Sequence, residues 1–296
     1  MTNTSIYQDM AQRTGGDIYL GLVGPVRTGK STFIRRFMET LVIPNIEDVY
    51  ARERAKDELP QSGSGRTIMT AEPKFVPEDA VNVTLDGGVS FSVRLVDCVG
   101  YMVDGASGQF EDGAERMVAT PWFDEEVSMS RAAEEGTRRV IAEHSTIGVV
   151  MTTDGSICGI PREGYVPAEE RVVAELKAIG KPFVLVLNSA DPDSDAAQAL
   201  RAELADKYGV TCVCVNCLDL TGEDIDDILR FALYEFPIAE LGIYLPSWLD
   251  ALPADAPLKA GIFEGIAEAV QHMSRVRDAF GIMDALGERE DVSAAG

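Results

Sequence analysis

Apolar positions along this chain alternate between short continuous runs and wider sets at helical spacing. Residues 17–24 (Asp-Ile-Tyr-Leu-Gly-Leu-Val-Gly) form a short apolar run ending in glycine, the pattern of a buried strand. Residues 31–42 then carry Phe33, Ile34, Phe37, Met38 and Leu41, which predicts a helix. Two β-rich runs, 80–85 and 89–96, flank Asp86-Gly87-Gly88, a hairpin signal. Further strands are predicted at 147–152, 182–188 and 210–215, with helices at 131–144, 168–179, 196–207 and 224–235. This alternation predicts an α/β fold: a mostly parallel sheet with helices on both faces, to which the hairpin adds one antiparallel edge strand.

Two stretches, 44–77 and 100–130, carry no clear period, and loops of that length inside a compact domain are usually functional. After Phe236-Pro237 the pattern changes. Pro246, Pro253 and Pro257 punctuate a linker, 258–283 reads as one more helix, and 287–296 has no core pattern. The predicted division is 1–237 for the α/β domain and 238–296 for a linker and helix leading into a further domain.

Composition narrows the class. At 296 residues, with 46% hydrophobic and 25% charged residues, the chain can bury a core of ordinary size. No stretch approaches the roughly 20 apolar residues that a bilayer span needs. The polar start, 1–11, lacks the basic-then-apolar order of a secretory signal, so a cytoplasmic protein is expected. Net charge is 26 − 49 = −23, a surface that repels nucleic-acid phosphates and anionic lipid headgroups. Nucleic acid is therefore not an expected partner. Five cysteines, spread through strand-like segments, read as reduced buried thiols. Cys212-x-Cys214-x-x-Cys217 has the look of a metal cluster, but no second ligand pair accompanies it.

The chemistry concentrates at two strand ends. Gly24, Pro25, Val26, Arg27, Thr28, Gly29, Lys30 and Ser31 fit G-x-x-x-x-G-K-[ST] between a strand and a helix, the context that a P-loop requires. With Thr32 they make up the predicted phosphate-binding segment. Glycines let backbone N–H groups converge on phosphate, the helix N-terminus adds its dipole, Lys30 reaches the β and γ oxygens, and the Ser31 hydroxyl is a magnesium ligand. Asp97 ends the strand 89–96 and begins D-x-x-G with Gly100. It is expected to bind magnesium opposite Ser31, while Gly100 turns its N–H towards the γ-phosphate.

Thr67 and Thr70 both qualify by position as the threonine of the intervening loop that ligates magnesium. Tyr101 follows Gly100, where many regulatory GTPases orient water with Gln or His, a task tyrosine does poorly. The two histidines, His144 and His272, read as helix residues without a role. Catalysis would then fall to Thr70, bound metal or an arginine. Arg27 lies inside the phosphate loop and could supply positive charge there; the alternative is that it pairs with surface carboxylates. Guanine-binding relatives carry Asn-Lys-x-Asp after a strand. Here Asn188-Ser-Ala-Asp191 keeps Asn188 and Asp191 as base contacts but has Ser189 for the stacking lysine.

Several strings resemble the stage IV sporulation protein A family: 14–21, 26–34, 57–62, 67–70, 72–77, 94–101, 144–150, 234–237 and 245–248 (Leu-Pro-Ser-Trp). The resemblance implies a spore-coat morphogenetic ATPase, related in fold to translation-factor GTPases but using ATP with Mg2+. It implies ATP-dependent self-assembly into a shell in the mother-cell cytoplasm, peripheral to the forespore outer membrane. A small amphipathic anchor peptide and other coat proteins are the implied partners. It assigns phosphate binding to Lys30, metal coordination to Asp97 and a catalytic or sensor role to Thr70. Two departures stand out. Ala71 replaces a threonine of the family pattern, and the family's chains continue well beyond the length seen here. Two alternatives remain at this point: a nucleotide-binding scaffold without turnover, and a GTPase with a degenerate base motif.

Overall fold

The computed structural model of the protein describes residues 3–60, 73–85, 89–103, 110–111, 114–253, 255–271 and 273–281. The chain divides into two units, with the break between Leu233 and Tyr234.

In chain order the first unit comprises α1 (Asn3–Thr14), β1 (Asp17–Val23), α2 (Lys30–Phe37), α3 (Val49–Asp57), β2 (Lys74–Thr84) and β3 (Ser90–Asp97). Four two-residue strands follow: β4 (Phe110–Glu111), β5 (Ala114–Glu115), β6 (Met117–Val118) and β7 (Val127–Ser128). The unit then runs through α4 (Met129–Glu143), β8 (Ile147–Thr153), α5 (Arg162–Ile179), β9 (Phe183–Asn188), α6 (Asp195–Tyr208), β10 (Cys212–Val215) and α7 (Gly222–Tyr234).

Six strands form one sheet in the order β10-β9-β8-β1-β3-β2. All neighbours are parallel except β2, which pairs antiparallel with β3 as an edge strand. The mostly parallel sheet with one antiparallel edge is thus as the strand pattern predicts. β8 and β9 are buried at every position, which explains why they read as unbroken apolar runs rather than alternating ones. On one face, Val23, Val150, Leu185 and Leu187 pack with residues of α4, α5 and α6. Alternate residues of the same strands point to the other face, where α1 and α2 lie against β1 and β3. The Tyr7 hydroxyl, on α1, donates to Asp226 of α7 on that side.

The register fixes where the loops emerge. Leu22 pairs with Asp97, and Val23 pairs with Val150. The segment after β1 therefore leaves the sheet beside the carboxyl ends of β3 and β8, where open α/β sheets hold their ligands.

Some elements differ from the sequence expectation. The unassigned 44–77 stretch contains α3 and the start of β2, and 100–130 contains the two small hairpins. Helix α1 was hidden by polar composition, since of its described side chains, 6–14, Ile6, Tyr7 and Met10 are the buried ones. Helix α5 begins six residues before the predicted 168, running through Pro167 in its second turn. Trp122 and Phe123, within 100–130, are partly buried, and Phe123 packs against the core. Arg131 lies 4.7 Å over the Phe123 ring and Arg139 lies 5.8 Å over Trp122.

The second unit holds α8 (Pro257–Val270), shorter than the helix predicted over 258–283. Beyond it, Arg275 bridges Pro237, and the N–H groups of Val276 and Arg277 donate to Phe236 and Tyr234. The buried Glu235 carboxylate pairs with both Arg275 and Arg277. Pairing with a distant segment therefore overrides local helical spacing.

Candidate nucleotide site

Between β1 and α2 the chain makes a tight loop, 24–29, in which three positions have positive φ: Gly24, Arg27 and Gly29. Gly24 (φ 138°) has no room for a side chain, because a Cβ there would lie 2.2 Å from the Met151 carbonyl oxygen on β8. Gly29 precedes α2 without a side-chain cap. The first-turn N–H groups of α2 accordingly have no partner one turn behind them, the arrangement that receives an anion at a helix N-terminus.

The loop is braced from both sides. The Thr28 hydroxyl donates to the Pro25 carbonyl at 3.0 Å. Val26 N–H donates to the Tyr101 carbonyl at 2.8 Å, and Tyr101 N–H donates to the Gly24 carbonyl at 3.1 Å. Asn188 closes the third side: its side-chain amide donates to the Thr28 carbonyl at 3.1 Å and accepts from Cys217 N–H at 3.0 Å. Gly100 packs into this arrangement (φ 90°), with a would-be Cβ 2.2 Å from the Gly24 oxygen and 2.6 Å from Lys30 Nζ.

Three polar side chains meet there. Lys30 is buried, and its Nζ donates to the Pro25 carbonyl at 2.7 Å and to the Gly24 carbonyl at 3.4 Å. Ser31 Oγ donates to Asp97 Oδ2 at 2.6 Å, joining α2 to the end of β3. Asp97 Oδ1 is buried and has no hydrogen-bond partner among the described residues. Burial lowers the Lys30 pKa, opposed by the nearby Cys98 and Asp97. Burial likewise raises that of Asp97, opposed by the Ser31 hydroxyl and by Lys30 and Lys74. Both charges are thus incompletely compensated by the protein, which is costly for buried ions. A divalent cation beside Asp97 and Ser31, and polyphosphate over Lys30, would supply the missing partners. The donor set, a carboxylate and a hydroxyl oxygen, is the kind a magnesium ion takes.

Of the sequence-predicted residues, the structure brings together Gly24, Pro25, Val26, Arg27, Thr28, Gly29, Lys30, Ser31, Asp97 and Gly100; Thr32 follows within the first turn of α2. Thr67, Thr70 and Ala71 lie outside the described residues. Asn188 is at the site as a brace, and Asp191 is exposed on the following loop. Arg27 makes no ion pair with any carboxylate among the described residues. His144 caps α4 and sets its ring edge-on to Phe75 at 5.3 Å, while His272 lies outside the described residues. Cys212 and Cys217 are buried free thiols and Cys214 is partly buried; no metal-holding group of His, Cys, Asp or Glu occurs among the described residues.

Two features went unread in the sequence. The Tyr101 side chain turns away from the loop: it is buried, its hydroxyl donates to Glu175 of α5, and Arg171 stacks 5.0 Å above the ring. Asp154, just past the end of β8, accepts from Ser189 Oγ at 2.6 Å and from Ser156 N–H at 2.9 Å. Ser189 Oγ also accepts from Asp191 N–H at 3.1 Å, so the hydroxyl in the stacking-lysine position is committed to fixing its own loop. A strand-end carboxylate was the signal that marked Asp97, and the same signal marks Asp154.

Comparison with known proteins places the chain in a family. The family model described as stage IV sporulation protein A, ATPase domain, matches residues 1–237, and that of the middle domain matches 238–295. A stage IV sporulation protein A from Clostridioides difficile (strain 630) is 49% identical over 294 residues, covering 99% of this chain and 60% of that protein. Those from Bacillus subtilis (strain 168) and Bacillus anthracis are 48% and 51% identical, over 100% and 94% of this chain and 60% and 56% of theirs. The chain thus spans about three-fifths of the length of these curated relatives.

Proposed function

This chain belongs to the stage IV sporulation protein A family, and from that membership and the site's geometry we propose that it binds and hydrolyses ATP as a P-loop ATPase. In this reading its fold is of the translation-factor-like branch, and hydrolysis drives self-assembly into the base of a spore coat. Assembly takes place in the mother-cell cytoplasm at the forespore surface, with an amphipathic anchor peptide and other coat proteins as partners. The observation that carries the enzymatic part is the meeting of buried Lys30 with partly buried Ser31 and Asp97, the last with a buried Oδ1 that has no hydrogen-bond partner among the described residues.

Lys30 holds the β- and γ-phosphate oxygens, exchanging the loop carbonyls it now binds for phosphate. The loop N–H groups and the start of α2 hold the remaining phosphate oxygens. Ser31 and Asp97 hold Mg2+, with Thr70 as the third expected ligand. An ion held there would neutralise charge on the β- and γ-phosphates. Gly100 keeps the backbone close enough to the loop for its N–H to face the γ-phosphate.

Equilibrium binding of ATP and GTP, with and without Mg2+, tests this. ATP should bind more tightly than GTP, and Asp97→Ala should abolish the gain from Mg2+ while leaving metal-free binding within about threefold. Equal Mg2+ dependence in the variant would remove Asp97 from the site.

A scaffold that binds nucleotide without turnover has one observation in its favour: Tyr101, in the water-orienting position, is held by Glu175. Tight ATP binding without any phosphate release would favour that reading. The GTPase reading is weakened by the commitment of Asn188 to Thr28 and Cys217 and of Ser189 to Asp154.

A further inference from the structure

The structure assigns Arg27 as a built-in catalytic cation that contacts the γ-phosphate during hydrolysis. The inference rests on the ATPase reading above and deepens it at one residue.

Arg27 is the one described non-glycine residue with positive φ, at 66°. A side chain in the left-handed region costs roughly 1–2 kcal/mol relative to glycine and persists only where surrounding contacts over-determine it. Those contacts are present. The Arg27 carbonyl accepts from Cys158 Sγ at 3.7 Å, Val26 is hydrogen-bonded to Tyr101, and Thr28 is held by Asn188. Glycine would adopt this turn without strain, so the chain retains a cationic side chain at a position that disfavours one.

That cation is also unsatisfied. Its Nη2 is buried without a hydrogen-bond partner, and no carboxylate of the described residues lies within ion-pairing distance of it. A buried guanidinium N–H without an acceptor is costly, and surface ion-pairing is not the role it plays here. Arg27 sits in the short loop that leads into α2, three residues before Lys30 at the start of that helix, in a segment shaped to receive an anion. A phosphoryl group gaining equatorial charge is the acceptor that suits a planar guanidinium.

The need for such a cation follows from Tyr101. With its hydroxyl bound to Glu175, it leaves the water-orienting position without a polar group directed at the loop. In the reaction, the water oxygen bonds to the γ-phosphorus while the bond to the β–γ bridging oxygen breaks. That oxygen leaves with the bonding pair on ADP, and the water proton passes to the released phosphate. Arg27 stabilises the charge on the γ oxygens along this path, as a trans-acting arginine does in other phosphoryl-transfer enzymes.

The test compares wild type with Arg27→Gly and Arg27→Lys in the full chain, reading single-turnover hydrolysis, ADP affinity, trapping of ADP by aluminium fluoride, and thermal midpoint. Arg27→Gly should lose hydrolysis about 100-fold or more and lose fluoride-dependent trapping. ADP affinity should stay within about threefold, and the midpoint should be unchanged or higher because strain and an orphaned donor are removed together. Arg27→Lys should recover part of the rate. Full hydrolysis and trapping in Arg27→Gly would overturn the assignment while leaving the ATPase reading intact. A lowered midpoint with equal losses of ADP affinity and rate would make Arg27 structural, also overturning it. A wild type that neither turns over nor traps would overturn both readings together.

Discussion

Replacing Asn188 by alanine separates two roles that the sequence leaves indistinguishable. As a base contact, Asn188 would matter only once nucleotide is bound. As a brace, it matters in the free protein, because its amide joins the Thr28 carbonyl to Cys217 N–H across 3.1 Å and 3.0 Å. All three residues are buried, so alanine leaves a carbonyl and an N–H with no water to replace the lost partner. Each orphaned group costs about 1–3 kcal/mol, and with some relaxation the two together cost about 2–4 kcal/mol. A unit that ends at Leu233 loses about 2–4 °C in midpoint per kcal/mol. The nucleotide-free variant should therefore melt about 4–16 °C lower by circular dichroism. Asn188→Asp should recover only part of this, since a carboxylate still accepts from Cys217 but faces the Thr28 carbonyl without a proton to offer. A nucleotide-free midpoint within 1 °C of wild type would refute the brace.

Other expectations follow from the same structure. Glu169 is fully buried and binds Arg162 at 2.8 Å and the Tyr208 hydroxyl at 2.7 Å, so Glu169→Ala should cost about 3–5 kcal/mol in urea unfolding; a loss below about 1 kcal/mol would contradict it. Burial pushes the Cys98 thiol up to about 11 and the Cys212 thiol up to about 12, so neither should react with iodoacetamide at pH 8 in native protein. Both should label fully in denaturant, and native labelling of Cys98 read by mass spectrometry would count against its placement. Burial acts to raise the Asp154 pKa, but hydrogen bonds from Ser156, Ser189 and Thr153 outweigh it and hold the value below the usual one. That stability is present above the usual carboxylate value and is lost as pH falls through the lowered one. The stability gap between wild type and Asp154→Leu should consequently shrink on acidification from about pH 5 to below about pH 3, and a gap that widens would reverse the assignment.

What the sequence made legible was whatever is encoded locally. The strand-loop-helix around Gly24 to Ser31 needs neighbours only a few residues apart, and Asp97 is marked by its place at a strand end. The parallel sheet followed from apolar runs that β8 and β9 carry because both their faces are covered. What stayed hidden depends on partners far along the chain. Asn188 reads as a base contact until Thr28, 160 residues away, is seen to accept from it. Tyr101 reads as a poor water-orienting residue, but the reason lies in Glu175, 74 positions on. Helix spacing misled over 258–283 because Glu235 draws Arg275 and Arg277 back to the segment 234–237.

Phosphate release from the purified chain with Mg2+ and either ATP or GTP, beside Lys30→Ala, tests the central claim most directly. The account predicts release from ATP in preference to GTP, lost in Lys30→Ala, whose buried ammonium is then no longer present to hold the phosphates. Release that persists undiminished in Lys30→Ala, or that runs faster with GTP than with ATP, would contradict it.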